Sequence, residues 1–185
     1  MMKKSKATTG TAKPGAVVSY GSFDSPIGTI RVASDGKNVV ALGLGSESER
    51  DFRNRLSSLT SRPVLRSDKA VKPIVAELRQ YFEGQRKSFT FSADLSDLTS
   101  FQRKVLKAAA RIPYGQTRTY AWLARQAKSP RAFRAAGQVM ARNPVPLIIP
   151  CHRVIGSSGD LCGFGGGTKA LSLKRKLLAM EGIIV

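Results

Sequence analysis

A chain of 185 residues is long enough for one large domain or two small ones with a real buried core. Its 42% hydrophobic content excludes a disordered chain, and it lacks both a secretory apolar core and a membrane-length apolar run. The net charge of +19 points to a polyanionic partner.

Residues 1–15, with Lys3, Lys4, Lys6, Lys13 and Pro14, read as a disordered basic tail. Residues 16–93 read as a small α/β domain. Val18, Tyr20 and Phe23 alternate, Ser25-Pro26-Ile27-Gly28 turns, and Ile30 and Val32 alternate again before the hairpin signal Asp35-Gly36. Val39, Val40, Leu42 and Leu44 form a third strand. Phe52, Leu56 and Leu59 recur at helical spacing, as do Val71, Ile74, Val75, Leu78 and Phe82, with Pro73 early in that second helix and Gly84 as its stop. Phe89 and Phe91 alternate in a short strand.

Residues 94–98 form a link, and the second domain spans 99–185. Thr99-x-x-Gln102 is a capping box. The helix it opens turns Phe101, Val105, Leu106 and Ala109 inward and ends at Ile112-Pro113-Tyr114-Gly115. Thr119 caps the next helix, with Leu123, Ala124 and Ala127 inward. Ser129 as N-cap and Pro130 at the first helical position open a third, Arg131 to Arg142, with Phe133, Ala136, Gly137 and Met140 on one side. Two short helices joined by a tight turn have helix-turn-helix shape, although an ordinary αα-hairpin has it too. Charge favours the DNA reading: Phe101 to Pro150 contains ten Lys or Arg and no Asp or Glu.

Asn143-Pro144 ends that helix. Val145-Pro146-Leu147-Ile148-Ile149 then reads as a short buried strand leading to Pro150-Cys151-His152-Arg153-Val154. His152 is the only histidine. Pro150 ends the ladder and places Cys151 at the amino end of a short turn, where unpaired N–H groups and a neighbouring imidazole favour thiolate. A small buried cysteine that only packs, with His152 as a surface cap, is the alternative. A glycine-rich loop, Gly156 to Gly167, surrounds Phe164. The last helix turns Leu173, Leu177 and Met180 inward and Lys174, Arg175 and Lys176 outward, ending at Glu181-Gly182. Two cysteines, Cys151 and Cys162, build no disulfide scaffold, so a reducing, cytoplasmic setting is expected, nucleoid-associated if the partner is DNA. With one histidine, a structural zinc site is not expected.

Taken in order, these motifs resemble the O6-alkylguanine-DNA alkyltransferases: Phe101-Gln102-x-x-Val105, Ile112-Pro113-Tyr114-Gly115 with Tyr120, Asn143-Pro144, Pro150-Cys151-His152-Arg153-Val154, Gly163-Phe164 with the following glycines, and Leu177-Leu178-x-x-Glu181-Gly182. The resemblance covers roughly residues 99–182, and residues 17–92 fit the family's variable amino-terminal domain more loosely. It implies an α/β fold class, a small ribonuclease-H-like domain followed by a mostly helical winged helix-turn-helix domain. It also implies a monomeric, single-turnover repair protein acting on O6-alkylguanine, and on O4-alkylthymine, in double-stranded DNA. It implies that no cofactor, metal or membrane takes part; the zinc ligands of some members are missing here.

Carried over residue by residue, Cys151 is the alkyl acceptor, His152 its base through a water, and Glu181 the group that orients the imidazole. Asn143 hinges the recognition helix to the active-site strand. Tyr120 helps rotate the nucleotide and donates a proton toward the leaving base. Arg134 fills the stack, with Ser129, Arg131, Ala135 and Gly137 completing the DNA contact. Pro146, Val154, Ser157, Phe164, Gly165 and Gly166 line the pocket. Two other classes remain: a Cys-His-Glu hydrolase, which leaves the acid-free helices unexplained, and a DNA-binding module with an inert thiol.

Overall fold

The computed structural model describes residues 17–45, 47–164 and 170–184. The basic tail, Gly165 and Gly166 lie outside the described residues.

The first half is a five-stranded sheet covered on both faces. Strands β1 (Val18–Ser25), β2 (Gly28–Ser34) and β3 (Asn38–Gly43) form an antiparallel meander. The sheet is completed at its edges by β4 (Val64–Arg66), parallel to β1, and β5 (Ser92–Ala93), parallel to β3. Alternation sends Val18, Tyr20 and Ala33 to one face, against Phe52 and Leu56 of α1 (Glu49–Leu59). It sends Phe23, Ile30 and Val32 to the other, against Val71, Ile74 and Leu78 of α2 (Asp68–Phe82). A bulge opposite Ala33 and Ser34 inserts one residue into β3, so the neighbours Val40 and Ala41 face the same side. The start of α2 lies so close to β1 that a Cβ on Gly21 would stand 2.5 Å from Asp68 Oδ1 and 2.7 Å from Val71 Cγ2.

One expectation shifts in this half. Phe89 and Phe91 are not in a strand: the Thr90 N–H and hydroxyl both bond the Glu77 carboxylate, so this stretch turns its polar groups onto α2, and pairing begins only at Ser92. Pro73 lies inside α2, whose N-cap Ser67 accepts from Ala70 N–H. At its sixth position the proline forfeits only the bond to Lys69, and the helix runs on.

The second half comprises α3 (Ser100–Ala110), β6 (Arg118–Thr119), α4 (Tyr120–Gln126), α5 (Phe133–Ala141), a 3₁₀ turn (Cys151–Arg153), β7 (Val154–Ile155) and α6 (Leu171–Met180). The capping box at Thr99 and Gln102 closes in both directions, and Thr119 caps α4. β6 and β7 pair in parallel. Ser129 does not cap a helix. Ala132 N–H bonds Ser129 carbonyl at 2.9 Å, so Pro130-Arg131 form the bend of a turn, and α5 starts at Phe133 without a side-chain cap. Val139 joins Ala136 and Met140 in the core, and Phe133, the first residue of the helix, is left exposed.

The halves share one apolar core, running from the α2 face of the sheet to α3, α4, α5 and α6. The Leu42 N–H bonds Pro144 carbonyl at 2.8 Å, and Arg62 pairs with both Asp35 and Asp94, tying the connecting segment to the sheet.

Candidate active site

The segment that leads to Cys151, Val145 to Ile149, is a buried turn rather than the expected strand. Val145, Leu147 and Ile149 are all buried. Pro144 and Pro146 lack ladder donors, Ile149 N–H closes back onto Val145 carbonyl at 2.9 Å, and Leu147 has φ +72. A left-handed leucine costs about 1–2 kcal/mol, and burying its side chain returns about the same or more. Asn143 spans the turn: its amide donates to Ile149 carbonyl at 2.8 Å, and its oxygen accepts from Val145 N–H at 3.1 Å. Asn143, the residue after the α5 cap, is therefore tied to the far end of this turn.

Pro150 follows and the chain coils into the 3₁₀ turn. Cys151 is 6% exposed. Burial pushes its thiol up, not down as the turn position suggests. The Asn143 amide, the Lys174 ammonium and the N–H groups of Cys151 and His152 pull the other way without overcoming it. At rest the sulfur is a thiol.

Beside it, His152 is fully buried, and its Nε2 lies 2.9 Å from Glu181 Oε1. Burial lowers the imidazole against the pull of Glu181, with Arg153 and Lys174 adding to the lowering. Burial alone would raise Glu181, but hydrogen bonds from His152 and Arg153 overcome it and bring the carboxyl down to about 2. An ionised carboxylate only accepts, so the single hydrogen of a neutral His152 sits on Nε2. Nδ1 is then a lone pair, buried and unpartnered among the described residues.

Glu181 is held on all sides. Arg153 forks onto it, Nε to Oε2 and a terminal nitrogen to Oε1, both at 2.8 Å, and its other terminal nitrogen donates to Ile112 carbonyl at 2.7 Å. Tyr81 hydroxyl donates to Oε1 at 2.7 Å, and Gly115 N–H to Oε2 at 3.2 Å. Lys174 is not outward. It is fully buried, its ammonium donating to Val154 and Leu161 carbonyls at 2.5 and 2.6 Å, and burial lowers it to about 8. Among the described residues no carboxylate pairs with it, and its electrostatic partners are Cys151 and Cys162.

Tyr120 opens α4, its hydroxyl raised to about 12 by burial and the two nearby cysteines. Gly137 faces it: a Cβ there would be 3.7 Å from the Tyr120 ring. Arg131, Arg134 and Ala135 are exposed and Ser129 half-buried on the same helix pair, the Arg134 guanidinium lying 5.6 Å over Phe133. Of the expected pocket residues, Phe164 is buried at 6%, Pro146 is half-buried and Ser157 is exposed. Val154 has no exposed surface and packs in the core, because its strand pairs with β6. A cleft of about 420 Å³ lies behind the turn, between Phe91, Tyr114, Ile148 and Pro150, and among the described residues none of those expected in the pocket lines it. The chemistry belongs with Cys151. Tyr81 was not marked by the sequence, Lys174 was read only as an outward residue, and Gly115 and Arg153 were visible only as parts of motifs.

Two family models match in tandem: the ribonuclease-like domain of 6-O-methylguanine DNA methyltransferase over residues 18–95, and its DNA-binding domain over 100–183. A methylated-DNA–protein-cysteine methyltransferase of Mycobacterium tuberculosis is 38% identical over 165 residues, 89% of this chain and 93% of that one. This chain belongs to the 6-O-methylguanine DNA methyltransferase family. The constitutive enzyme of Bacillus subtilis is 36% identical, over 89% of this chain and 95% of its own. The crystal structure of Mycobacterium tuberculosis O6-methylguanine methyltransferase superposes with a TM-score of 0.75 at 37% identity, over 89% of this chain and 92% of that one. Mycobacterium tuberculosis OGT in complex with DNA gives 0.74 at 37% identity, over 88% and 92%. The amino-terminal ribonuclease-like domain and helical DNA-binding domain of the family are thus the two halves described above.

Proposed function

We propose that this protein repairs O6-alkylguanine in duplex DNA by moving the alkyl group onto Cys151 Sγ, once per chain. As a family member it is a methylated-DNA–protein-cysteine methyltransferase, an enzyme of DNA repair that acts on DNA. The observation that supports the rest of the reading is the buried series Cys151, His152, Glu181, in which the imidazole is neutral and its free lone pair is Nδ1.

The carbon on a guanine oxygen is a weak electrophile, so the thiol must give up its proton as the bond forms. His152 Nδ1 takes that proton, through a bridging water, and Glu181 stabilises the imidazolium through Nε2–H. Sulfur bonds to the alkyl carbon, the carbon–oxygen bond breaks, and the guanine leaves with a proton supplied from the Tyr120 hydroxyl. Lys174 stabilises the sulfur anion as it develops.

The lesion must leave the stack to reach a buried sulfur, and its impaired pairing lowers that cost. Arg134, exposed on α5, fills the gap; Arg131 and Ser129 hold the backbone. O4-alkylthymine offers the same electrophile in a smaller ring. A thioether has no easy reversal, so the monomer acts once and needs no cofactor. Titrating protein against duplex with one O6-methylguanine tests this: repair should saturate at one lesion per chain, whereas continued turnover would overturn the single-use reading.

A further inference from the structure

The Glu181 carboxylate is shared by the two halves of the molecule. Tyr81, the penultimate residue of α2, reaches from the ribonuclease-like half. It is 2% exposed, and its hydroxyl meets Glu181 Oε1 at 2.7 Å, a contact between residues 100 apart in sequence. The same oxygen receives Arg153 at 2.8 Å and His152 Nε2 at 2.9 Å. A carboxylate oxygen has two lone pairs, so three donors compete for it, and each weakens the others. The phenol, raised by burial and by Glu181, stays a donor throughout the working pH range.

We propose that Tyr81 is a positioning residue for alkyl transfer: its hydroxyl fixes Glu181 and limits how strongly that carboxylate makes His152 basic. The proposal rests on the His152–Glu181 reading given above. Without the hydroxyl, Oε1 is left to Arg153 and His152, the bond to Nε2–H strengthens, and the imidazole holds its proton to higher pH. The other groups facing this pair do not reproduce the effect. Arg153 and Lys174 both disfavour the imidazolium, Cys151 is a neutral thiol at rest, and Tyr114 spends its hydroxyl on Met180 carbonyl at 2.8 Å. The amino-terminal domain is then a working part of the active site as well as its support.

Tyr81→Phe removes one oxygen and keeps the ring, which packs on Phe82, Phe89 and Tyr114 with centroids 5.3, 5.5 and 6.2 Å away. The full chain and this variant are compared from about pH 5 to about pH 9, across the range where histidine titrates. Single-turnover methyl transfer from duplex containing one O6-methylguanine is followed, together with iodoacetamide alkylation of Cys151 without DNA, read by peptide mass. The midpoint of both profiles is expected to rise in Tyr81→Phe by up to about one pH unit. That is the tenfold change in protonation that an ordinary hydrogen bond supports. Phe89→Leu loosens the same aromatic packing without touching Glu181; its thermal midpoint should fall with the profile unmoved. A Tyr81→Phe profile that overlies the parent, or shifts downward, overturns the proposal. Should the parent transfer no methyl group, the functional reading fails, and the iodoacetamide profile still decides the role of Tyr81.

Discussion

At the residue scale, the site sets desolvation against partners, and the balance differs from group to group. Glu181 is the clearest case. Its carboxyl sits at about 2 against an ordinary 4.5, so the unfolded chain binds more protons between those values. The stability this gives, about 3 kcal/mol, is fully present above about pH 4.5 and lost as pH falls toward 2. Urea unfolding at a series of acid pH values should show that loss, and Glu181→Gln should flatten it while costing about 3–5 kcal/mol near neutrality, since Arg153 would be left buried without its anion. Lys174 has the opposite linkage. Lowered to about 8 from 10.5, it is a buried cation that the folded state prefers neutral, so its contribution to stability should improve as pH rises from about 8 to about 10. Lys174→Met should therefore fold at least as stably at pH 7 while raising the Cys151 thiol further and slowing its alkylation by about tenfold. Unchanged iodoacetamide reactivity at Cys151 would remove Lys174 from the account.

At the element scale, what the sequence displayed and what it concealed follow from the range of the interactions. Caps are local, so Thr99-x-x-Gln102 and Thr119 were readable: a side chain and the N–H two or three residues on are all that is required. Ser129-Pro130 carries the same letters, but its turn closes first and α5 begins three residues past Pro130. Thr99→Ala should accordingly cost about 1 kcal/mol and Ser129→Ala a few tenths at most, compared by chemical denaturation. Equal losses would restore Ser129 as a cap. The run Val145 to Ile149 was legible as buried and not as a turn, because a short apolar run has no period of its own. Two prolines and a side chain reaching around from Asn143 decide its shape. The Lys174-Arg175-Lys176 triplet suggested a solvated face. Lys174 instead turns inward onto carbonyls of Val154 and Leu161, partners that no helical spacing reveals.

At the scale of the whole molecule, charge and fold serve a single task. The acid-free stretch from Phe101 to Pro150 covers α3, α4 and α5, and Arg131 and Arg134 are exposed in the turn before α5 and in its first turn. Phosphate contacts of this kind make affinity fall steeply with salt, so duplex binding should weaken by orders of magnitude between low and moderate ionic strength. Arg134→Ala should slow repair within duplex far more than transfer from a free O6-alkylguanine base, which needs no stack filled; equal losses on both would count against its role. The division into a sheet half and a helical half could be read from periodicity, and the Cys-His pair from the only histidine standing next to a cysteine. That the halves close around one carboxylate could not, since Tyr81 and Glu181 meet only once both are folded. The central claim is that Cys151 accepts the alkyl carbon and keeps it. The most direct test is intact and peptide mass of the protein after incubation with duplex carrying one O6-methylguanine. The account predicts the mass of a single methyl group, mapped to Cys151 and absent in Cys151→Ala, which still binds the duplex. An unmodified chain beside unrepaired DNA, or a methyl group found on Cys162 or any other side chain, would contradict it.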